Sequence, residues 1–247
     1  MAKELYRTED EQGLVIVTEQ GDKRILSFAS DLQQSCVDIH RPYYLLHEYT
    51  QIMLLGLVFA EPENITMLGL GGGGLAHCLN HFYPQCVTRV VEIRQVVIDV
   101  AYSWFNLPRK ANLKVICSDA NEYIKQVKST SINLLLCDLY EANGMSEMQQ
   151  QAEFIEHCYQ TLNDDSCLVI NFHNMPEEDS DVMQKIKQRF TEVFVCDVFI
   201  GNWVLFCLKA NSGFEKSELE DRARVLAKKV GMPLMYYFKQ LSKIHSM

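Results

Sequence analysis

Basic side chains are the scarcer charged class in this sequence of 247 residues. It has 23 lysines and arginines against 32 aspartates and glutamates, so the net charge is -9. A protein that holds DNA or RNA by bulk electrostatics carries the opposite excess, and we therefore expect no nucleic-acid partner. A cationic small substrate would be attracted instead.

Long apolar runs are also missing. The most apolar segment, YTQIMLLGLVFAEP, is too short to cross a bilayer and stops at Glu61 and Pro62. The first ten residues, MAKELYRTED, are polar and contain no apolar core of a secretion signal. We expect a soluble, cytoplasmic protein with no membrane association.

Paired cysteines are absent as well. The nine cysteines stand singly, without a C-x-x-C pair, and most lie in apolar runs. This usage indicates free thiols in a reducing compartment rather than disulfides or a zinc site. His77 and His81 have the spacing of two zinc ligands, but Cys78 breaks the H-E-x-x-H pattern, so we expect helix-face histidines near solvent and no metal.

Short apolar runs alternate with helical patterns after residue 64. This alternation is typical of βαβ units and a parallel sheet with helices on both faces. The sequence EVFVCDVFIGNWVLFCLK then reads as a closing antiparallel hairpin that turns at Gly201-Asn202. A parallel sheet with such a hairpin is the seven-stranded, Rossmann-like fold of the methyltransferase type. The predicted parallel strands are Ile65–Leu70, Val87–Val91, Leu113–Cys117, Ile132–Cys137 and Cys167–Asn171. The predicted helices are Leu75–His81, Gln95–Phe105, Ala120–Val127, Ala152–Leu162 and Asp181–Phe190.

The first 40 residues have a different pattern. GLVIVTEQGDKRILSFAS predicts two strands joined by a turn at residues 20–22, without a helix. We expect a small β appendage over residues 1–40 and a nucleoside-binding α/β domain over 41–247. A helix over Pro42–Phe59 leads into that domain, and a helix followed by a short amphipathic end closes the chain.

The glycine-rich stretch MLGLGGGGLAHCL lies between the first predicted parallel strand and its helix. Gly69, Gly71 and Gly73, with Gly72 among them, give a sharp turn against which a ligand can lie, near a helix N-terminus. Similar turns also serve only helix–strand packing, and a nicotinamide dinucleotide would use a similar loop.

Three carboxylates follow neighbouring predicted strands. Glu92 ends the second strand and is placed to accept both ribose hydroxyls of a nucleoside. Asp119 ends the third strand and can reach an adenine amino group, while Asp138 ends the fourth. A helix N-cap is the alternative for each, most of all for Asp119. Because the carboxyl ends of parallel strands meet at one edge, we expect a shared ligand site.

Several motifs together resemble the spermidine synthase (polyamine aminopropyltransferase) family. They are QQSCVDIHRPYYLLHEYTQIM, LGLGGGGLA, VVEI, SDANEYI and CDLYEANGMSEMQQQAEFIEHCYQTL. Within the family the chain is most similar to the spermidine-synthase-like bacterial proteins, which carry D-x-Y-D where authentic synthases carry D-S-S-D. The resemblance implies a homodimer that associates through the N-terminal β region.

The resemblance also implies a reaction and its residues. Decarboxylated S-adenosylmethionine would give its aminopropyl group to a diamine such as putrescine. Glu92 would then hold the ribose, Asp119 and Ala120 the adenine, and Gln51 would lie near this co-substrate. Asp138 matches the catalytic aspartate and Glu141 the acid that grips the amine. Tyr140, between them, either walls the substrate pocket or packs.

Two departures from the family pattern keep alternatives open. Gly74 stands where family synthases place the aspartate that binds the donor amine, and Thr50 and Ile52 replace a tyrosine and a glutamate beside Gln51. A methyltransferase that uses ordinary S-adenosylmethionine is the second hypothesis. A catalytically idle, nucleoside-binding relative is the third.

Overall fold

The computed structural model describes residues 2–28, 33–128, 130–141, 144–198, 201–210 and 213–244. Its N-terminal part is an antiparallel sheet in which each strand pairs with the next. The strands are β1 (Lys3–Asp10), β2 (Gly13–Gln20), β3 (Lys23–Phe28) and β4 (Gln33–Asp38). The two predicted strands correspond to β2 and β3. The prediction missed β1 and β4 because their alternation is weak: most of their side chains are at least partly exposed.

Ten further strands follow in the ranges that the structure describes. They are β5 (Asn64–Leu68), β6 (Val87–Glu92), β7 (Leu113–Cys117), β8 (Ile132–Cys137), β9 (Tyr140–Glu141), β10 (Gly144–Met145), β11 (Leu162–Phe172), β12 (Glu192–Val198), β13 (Asn202–Leu208) and β14 (Ser242–Ile244). Strands β9 and β10 pair with each other. The other eight form one sheet in the order β14-β12-β13-β11-β8-β5-β6-β7.

The large sheet confirms the predicted fold class. Strands β5, β6, β7, β8 and β11 run parallel, and β12 and β13 close the sheet as an antiparallel hairpin. An eighth strand, β14, pairs with β12 at the edge, where we expected only a short amphipathic end. It has three residues, which is too short for a recognisable alternation. The strand order reverses between β5 and β8, and ligands bind at this position in open α/β sheets.

Nine α-helices connect these strands in the described part of the chain. They are α1 (Glu48–Met53), α2 (Gly56–Phe59), α3 (Gly74–Phe82), α4 (Gln95–Trp104), α5 (Ala120–Gln126), α6 (Ala152–Thr161), α7 (Asp181–Arg189), α8 (Lys216–Val230) and α9 (Leu234–Phe238). Helices α3 to α7 match the predicted helices to within one residue at each end. None of the helices in the described ranges is long and apolar enough to span a bilayer.

The single helix predicted over Pro42–Phe59 is wrong. Residues before His47 are not helical, and Leu45 instead forms a bridge with Val37 of the N-terminal sheet. The helix is then interrupted between α1 and α2, where Leu57 N–H bonds to Leu54 O in a tighter turn. Gly56 lies so close to the sheet that a Cβ there would be 2.6 Å from Val169 Cγ2. Contact with the sheet thus overrides the helical pattern.

The closing hairpin differs in detail from its prediction. Val198 pairs with Asn202, so Asn202 is the first residue of β13 and not a turn residue. Residues 199–201 connect the strands, of which 199 and 200 lie outside the described residues. Gly201 has a φ of 82°, which suits a glycine.

The two sheets meet at α4. Apolar residues of the N-terminal sheet, including Val15 and Val17, share one buried cluster with Val97 and Val100 of α4. Arg94, before α4, adds an ion pair to Asp10 at 2.7 Å. The N-terminal sheet is therefore anchored to the α/β part of the chain through α4 and the residue before it. The division at residue 40 stays a prediction.

Candidate active site

A cavity of about 760 Å³ opens at the switch point of the large sheet. Its walls come from the carboxyl ends of β5, β6 and β8, from β4, and from α1 with the segment before it. The predicted site residues in its lining are Gly69, Gly71, Glu92, Asp119, Ala120, Asp138 and Tyr140. The structure therefore brings most of the predicted site to one place.

The glycine loop joins two strand ends. Gly69 has a φ of 98°, and a Cβ there would be 2.2 Å from the backbone oxygen of Asp138. Glycine is thus required for β5 and β8 to end side by side. Gly73, with a φ of 78°, precedes α3, while a Cβ at Gly72 would meet the ring of Phe105 at 2.9 Å. Gly72 and Gly73 shape the turn but are not among the described lining residues, and their contact with a ligand stays a prediction.

Glu92 is held by backbone groups. Its two carboxylate oxygens accept hydrogen bonds from Leu70 N–H at 3.1 Å and Arg94 N–H at 3.0 Å. Burial raises the pKa of this carboxyl, and those backbone hydrogen bonds oppose the rise. A third backbone hydrogen bond comes from Gly71, and because a carboxylate has about four lone-pair sites, the side chain can still accept a hydroxyl group from a ligand in the cavity.

Asp119 is a helix cap that also faces the cavity. Its Oδ1 accepts the N–H of Glu122 at 2.9 Å, which makes it the N-cap of α5. It also lines the cavity together with Ala120, the first residue of that helix. The cap fixes the carboxylate in position and leaves its second oxygen available to a ligand.

Asp138 is surrounded by side chains that come from distant parts of the chain. Its Oδ1 accepts Asn171 Nδ2 at 2.8 Å, and the Tyr49 hydroxyl donates a second hydrogen bond. Burial raises the pKa of Asp138 to about 6, although both hydrogen bonds lower it. A carboxylate with such a pKa is suited to accept a proton near neutral pH.

A network of amides extends from Asp138 to Tyr140. Asn202 Nδ2 donates to Asn171 Oδ1 at 2.8 Å and to the Tyr140 hydroxyl at 2.9 Å. Asn171 is fully buried, and Gln149 donates to its backbone oxygen at 3.2 Å. Tyr140 therefore lines the cavity and is held in place by hydrogen bonds, while its contact with a substrate stays a prediction.

Sequence reasoning missed three members of this network. Tyr49 lies within the helix predicted over Pro42–Phe59, and helical spacing alone does not indicate its hydrogen bond to Asp138. Asn202 was interpreted as a turn residue. Asn171 ends the fifth predicted strand, at the same edge as the three carboxylates. A polar residue at that position could have indicated a site residue.

Gln51 is buried, its Nε2 donates to Leu45 O at 2.7 Å, and it is not among the described lining residues, so its place near the co-substrate stays a prediction. The side chain of Glu141 lies outside the described residues. His77 is buried and bonded to Phe105 O, not near solvent as predicted. No group of three metal-ligating side chains occurs in the described ranges.

The described part of the cavity lining has acidic side chains but no lysine or arginine. The acidic residues are Glu48, Glu92, Asp119 and Asp138. Such a cavity favours a cation, for example a sulfonium or an ammonium group. Its glycine turn, two carboxylates and Ala120 fit the nucleoside end of an adenosyl compound.

Comparison with known proteins identifies the family. A model of the spermine/spermidine synthase domain matches residues 46–227. The polyamine aminopropyltransferase of Neisseria meningitidis serogroup B is 29% identical over 159 residues, which cover 63% of this chain and 60% of that protein. The Vibrio vulnificus protein of the same name is 31% identical, over 64% of this chain and 55% of that protein. The chain thus spans about 60% or less of these relatives.

A second group of relatives has a different activity in its name. The eEF1A lysine and N-terminal methyltransferase of Xenopus laevis is 27% identical over 82% of this chain and 32% of its own length. Similar solved structures include a probable spermidine synthase from Corynebacterium glutamicum, with a TM-score of 0.78, 20% identity and coverage of 98% of this chain and 90% of that one. Human methyltransferase-like protein 13 in complex with SAH has a TM-score of 0.67 and 19% identity, with coverage of 76% and 94%. At these identities the structures confirm the fold alone.

Proposed function

This chain belongs to the spermine/spermidine synthase family, and from that premise we propose that it transfers an aminopropyl group from decarboxylated S-adenosylmethionine to a diamine such as putrescine. The observation that supports this most is Asp138, a carboxylate with a raised pKa at the switch point of an acidic cavity. The reaction needs such a group, because a protonated amine is not a nucleophile and must lose its proton.

The donor would lie along the glycine loop. Glu92 would accept the ribose hydroxyls, while Asp119 and Ala120 would contact the adenine. The sulfonium would then point towards Asp138. All of these residues line the same cavity.

The acceptor would lie between Asp138, Tyr140 and Glu141. Its neutral amine nitrogen attacks the carbon next to the sulfonium; the new C–N bond forms as the C–S bond breaks. Methylthioadenosine leaves with the electron pair of that bond, and the Asp138 carboxylate accepts the proton that the amine gives up. Glu141 would grip the distal ammonium.

Methyl transfer from ordinary S-adenosylmethionine is the second candidate. The first turn of α3 contains no acidic side chain, since Gly74 is its first residue, so the described part of the glycine loop offers no carboxylate to the amine of a donor. The similarity to a named methyltransferase over most of the chain agrees with this alternative. A nucleoside-binding relative without activity is the third.

One assay separates the three. The protein is incubated with putrescine and either donor, and the nucleoside product is identified. Methylthioadenosine from the decarboxylated donor supports the proposal, whereas S-adenosylhomocysteine formed with a cell extract as acceptor supports methyl transfer. Binding without either product supports the idle relative.

Calorimetry with methylthioadenosine tests the donor site separately. Glu92→Ala should weaken binding by about 1–3 kcal/mol, the range for a hydrogen bond to a charged group. Gly74→Asp is the complementary variant, because it adds a carboxylate to the glycine loop instead of removing one from the cavity. A Cβ there would make ordinary contacts, the nearest at 3.7 Å to Leu45 Cδ2, so the fold should tolerate it. It should shift preference towards the decarboxylated donor by pairing with its ammonium.

We also propose a cytoplasmic homodimer that associates through the N-terminal sheet, on the basis of the family resemblance. Sedimentation equilibrium would test the dimer: a monomer at micromolar concentration would contradict it.

A further inference from the structure

Glu48 is an acidic residue of the cavity that the proposed reaction does not yet use. It is the first residue of α1, its side chain is exposed, and it lines the cavity beside Tyr49, whose hydroxyl bonds to Asp138. One short helix therefore presents a carboxylate at the mouth of the cavity and reaches the deeper Asp138 through the next residue.

A tyrosine of a distant helix fixes the position of the Glu48 carboxylate. The Tyr237 hydroxyl donates to its Oε1 at 3.2 Å. Tyr237 belongs to α9, and its ring is 6% exposed within the large apolar cluster. A buried ring cannot follow a mobile side chain, so this hydrogen bond restricts where the carboxylate lies. Tyr237 is a positioning residue for Glu48.

Glu48 has no cationic partner among the residues that the structure describes. The ion pairs of that part of the chain do not include it. Its neighbour His47 carries a buried Nε2 without a partner, and burial lowers the pKa of that imidazole, so it adds no positive charge near neutral pH. A positioned carboxylate at the mouth of an acidic cavity is thus left for a cation from solution.

We propose that Glu48 receives the distal ammonium of the acceptor, in addition to the role proposed for Glu141, and so selects diamines over monoamines. This inference rests on the proposed function for the identity of the acceptor. Asp138 holds the attacking nitrogen at depth, and Glu48 holds the second nitrogen at the mouth. A monoamine of equal length would lack the group that Glu48 binds.

The test measures binding and does not depend on turnover. Putrescine and n-butylamine, which have the same carbon chain and differ by one amine, are titrated calorimetrically into the protein saturated with methylthioadenosine. Glu48→Gln should weaken putrescine binding about two- to fivefold, the range for an exposed charge pair, and leave n-butylamine binding unchanged. Tyr237→Phe should give a smaller loss in the same direction.

The control is Glu63→Gln, which removes an exposed carboxylate outside the cavity lining and should change neither affinity. An unchanged preference for putrescine in Glu48→Gln would overturn the inference, as would equal losses for both amines or no binding of putrescine to the wild type. If putrescine binds through Glu48 but no methylthioadenosine forms from the decarboxylated donor, the proposed transfer fails and the acceptor site stands.

Discussion

The two sides of the cavity are built in different ways. On the glycine-loop side, backbone N–H groups hold Glu92 and Asp119, from Leu70, Arg94 and Glu122. On the Asp138 side, the partners are the side chains of Tyr49 and Asn171, which come from α1 and β11. Backbone groups near a strand end are in place once the strand forms. Side chains from remote elements are in place only when those elements are packed.

This difference has consequences for substitution. On the glycine-loop side, each carboxylate has its own supports, so a change there should remain local. On the Asp138 side, one network joins Tyr49, Asp138, Asn171, Asn202 and Tyr140. A change in one member should therefore alter the others, because buried polar networks are coupled.

The largest effect is expected from Asp138→Asn. The amide keeps the shape of the side chain but cannot accept the proton of the attacking amine. Formation of methylthioadenosine should fall about 10²- to 10⁴-fold, while its binding at the glycine-loop side should hardly change. Rapid-quench measurement of the chemical step and calorimetry check the two expectations.

Stability provides the control for this variant. Burial raises the pKa of Asp138 from 3.8 to about 6, so ionising it costs the folded state free energy as the pH rises from about 4 through 6. Asparagine does not ionise, so the variant avoids this loss of folding free energy. It should be at least as stable as the wild type at pH 7. A fully active Asp138→Asn enzyme would contradict the proton-accepting role.

Asn171→Ala should have the next largest effect. It leaves buried partners unsatisfied and should lower the free energy of unfolding by about 1–3 kcal/mol, measured in urea. Because the Asn171 hydrogen bond lowers the pKa of Asp138, its loss should raise that pKa further. In a plot of kcat/KM against pH, the acidic limb, where activity rises as Asp138 ionises, should then move to higher pH.

Asn202→Ala is the matched comparison. Asn202 bonds to Asn171 and Tyr140 but not directly to Asp138 among the described contacts. It should lower stability and leave the acidic limb nearly in place. If both variants shift the limb equally, the effect is a general loosening of the site and not the loss of one hydrogen bond.

The smallest effect is expected on the glycine-loop side. Asp119→Ala removes the N-cap of α5 and should cost about 1 kcal/mol of stability, whereas Asp119→Asn keeps the cap. If Asp119 also binds adenine, both variants should weaken methylthioadenosine binding. Thermal unfolding and calorimetry on the pair separate the two functions; an unaltered affinity in both would leave Asp119 as a cap only.

The sequence by itself determined the βαβ pattern, the glycine turn and the three carboxylates at neighbouring strand ends. These features depend on local periodicity and on residues that stand directly at the end of a strand, such as Glu92 and Asp119. Parallel strands place their carboxyl ends at one edge, so their meeting at Asp138 could be predicted as well.

Only the tertiary structure decided which side chains surround Asp138. Tyr49 reaches it from α1, which begins only at Glu48 and not at Pro42 as predicted. Asn202 joins the network as the first residue of β13, where it pairs with Val198. Tyr237 supports Glu48 from a helix near the end of the chain. Such contacts join residues far apart in sequence, and periodicity carries no information about them because packing distance and register arise only when the elements meet.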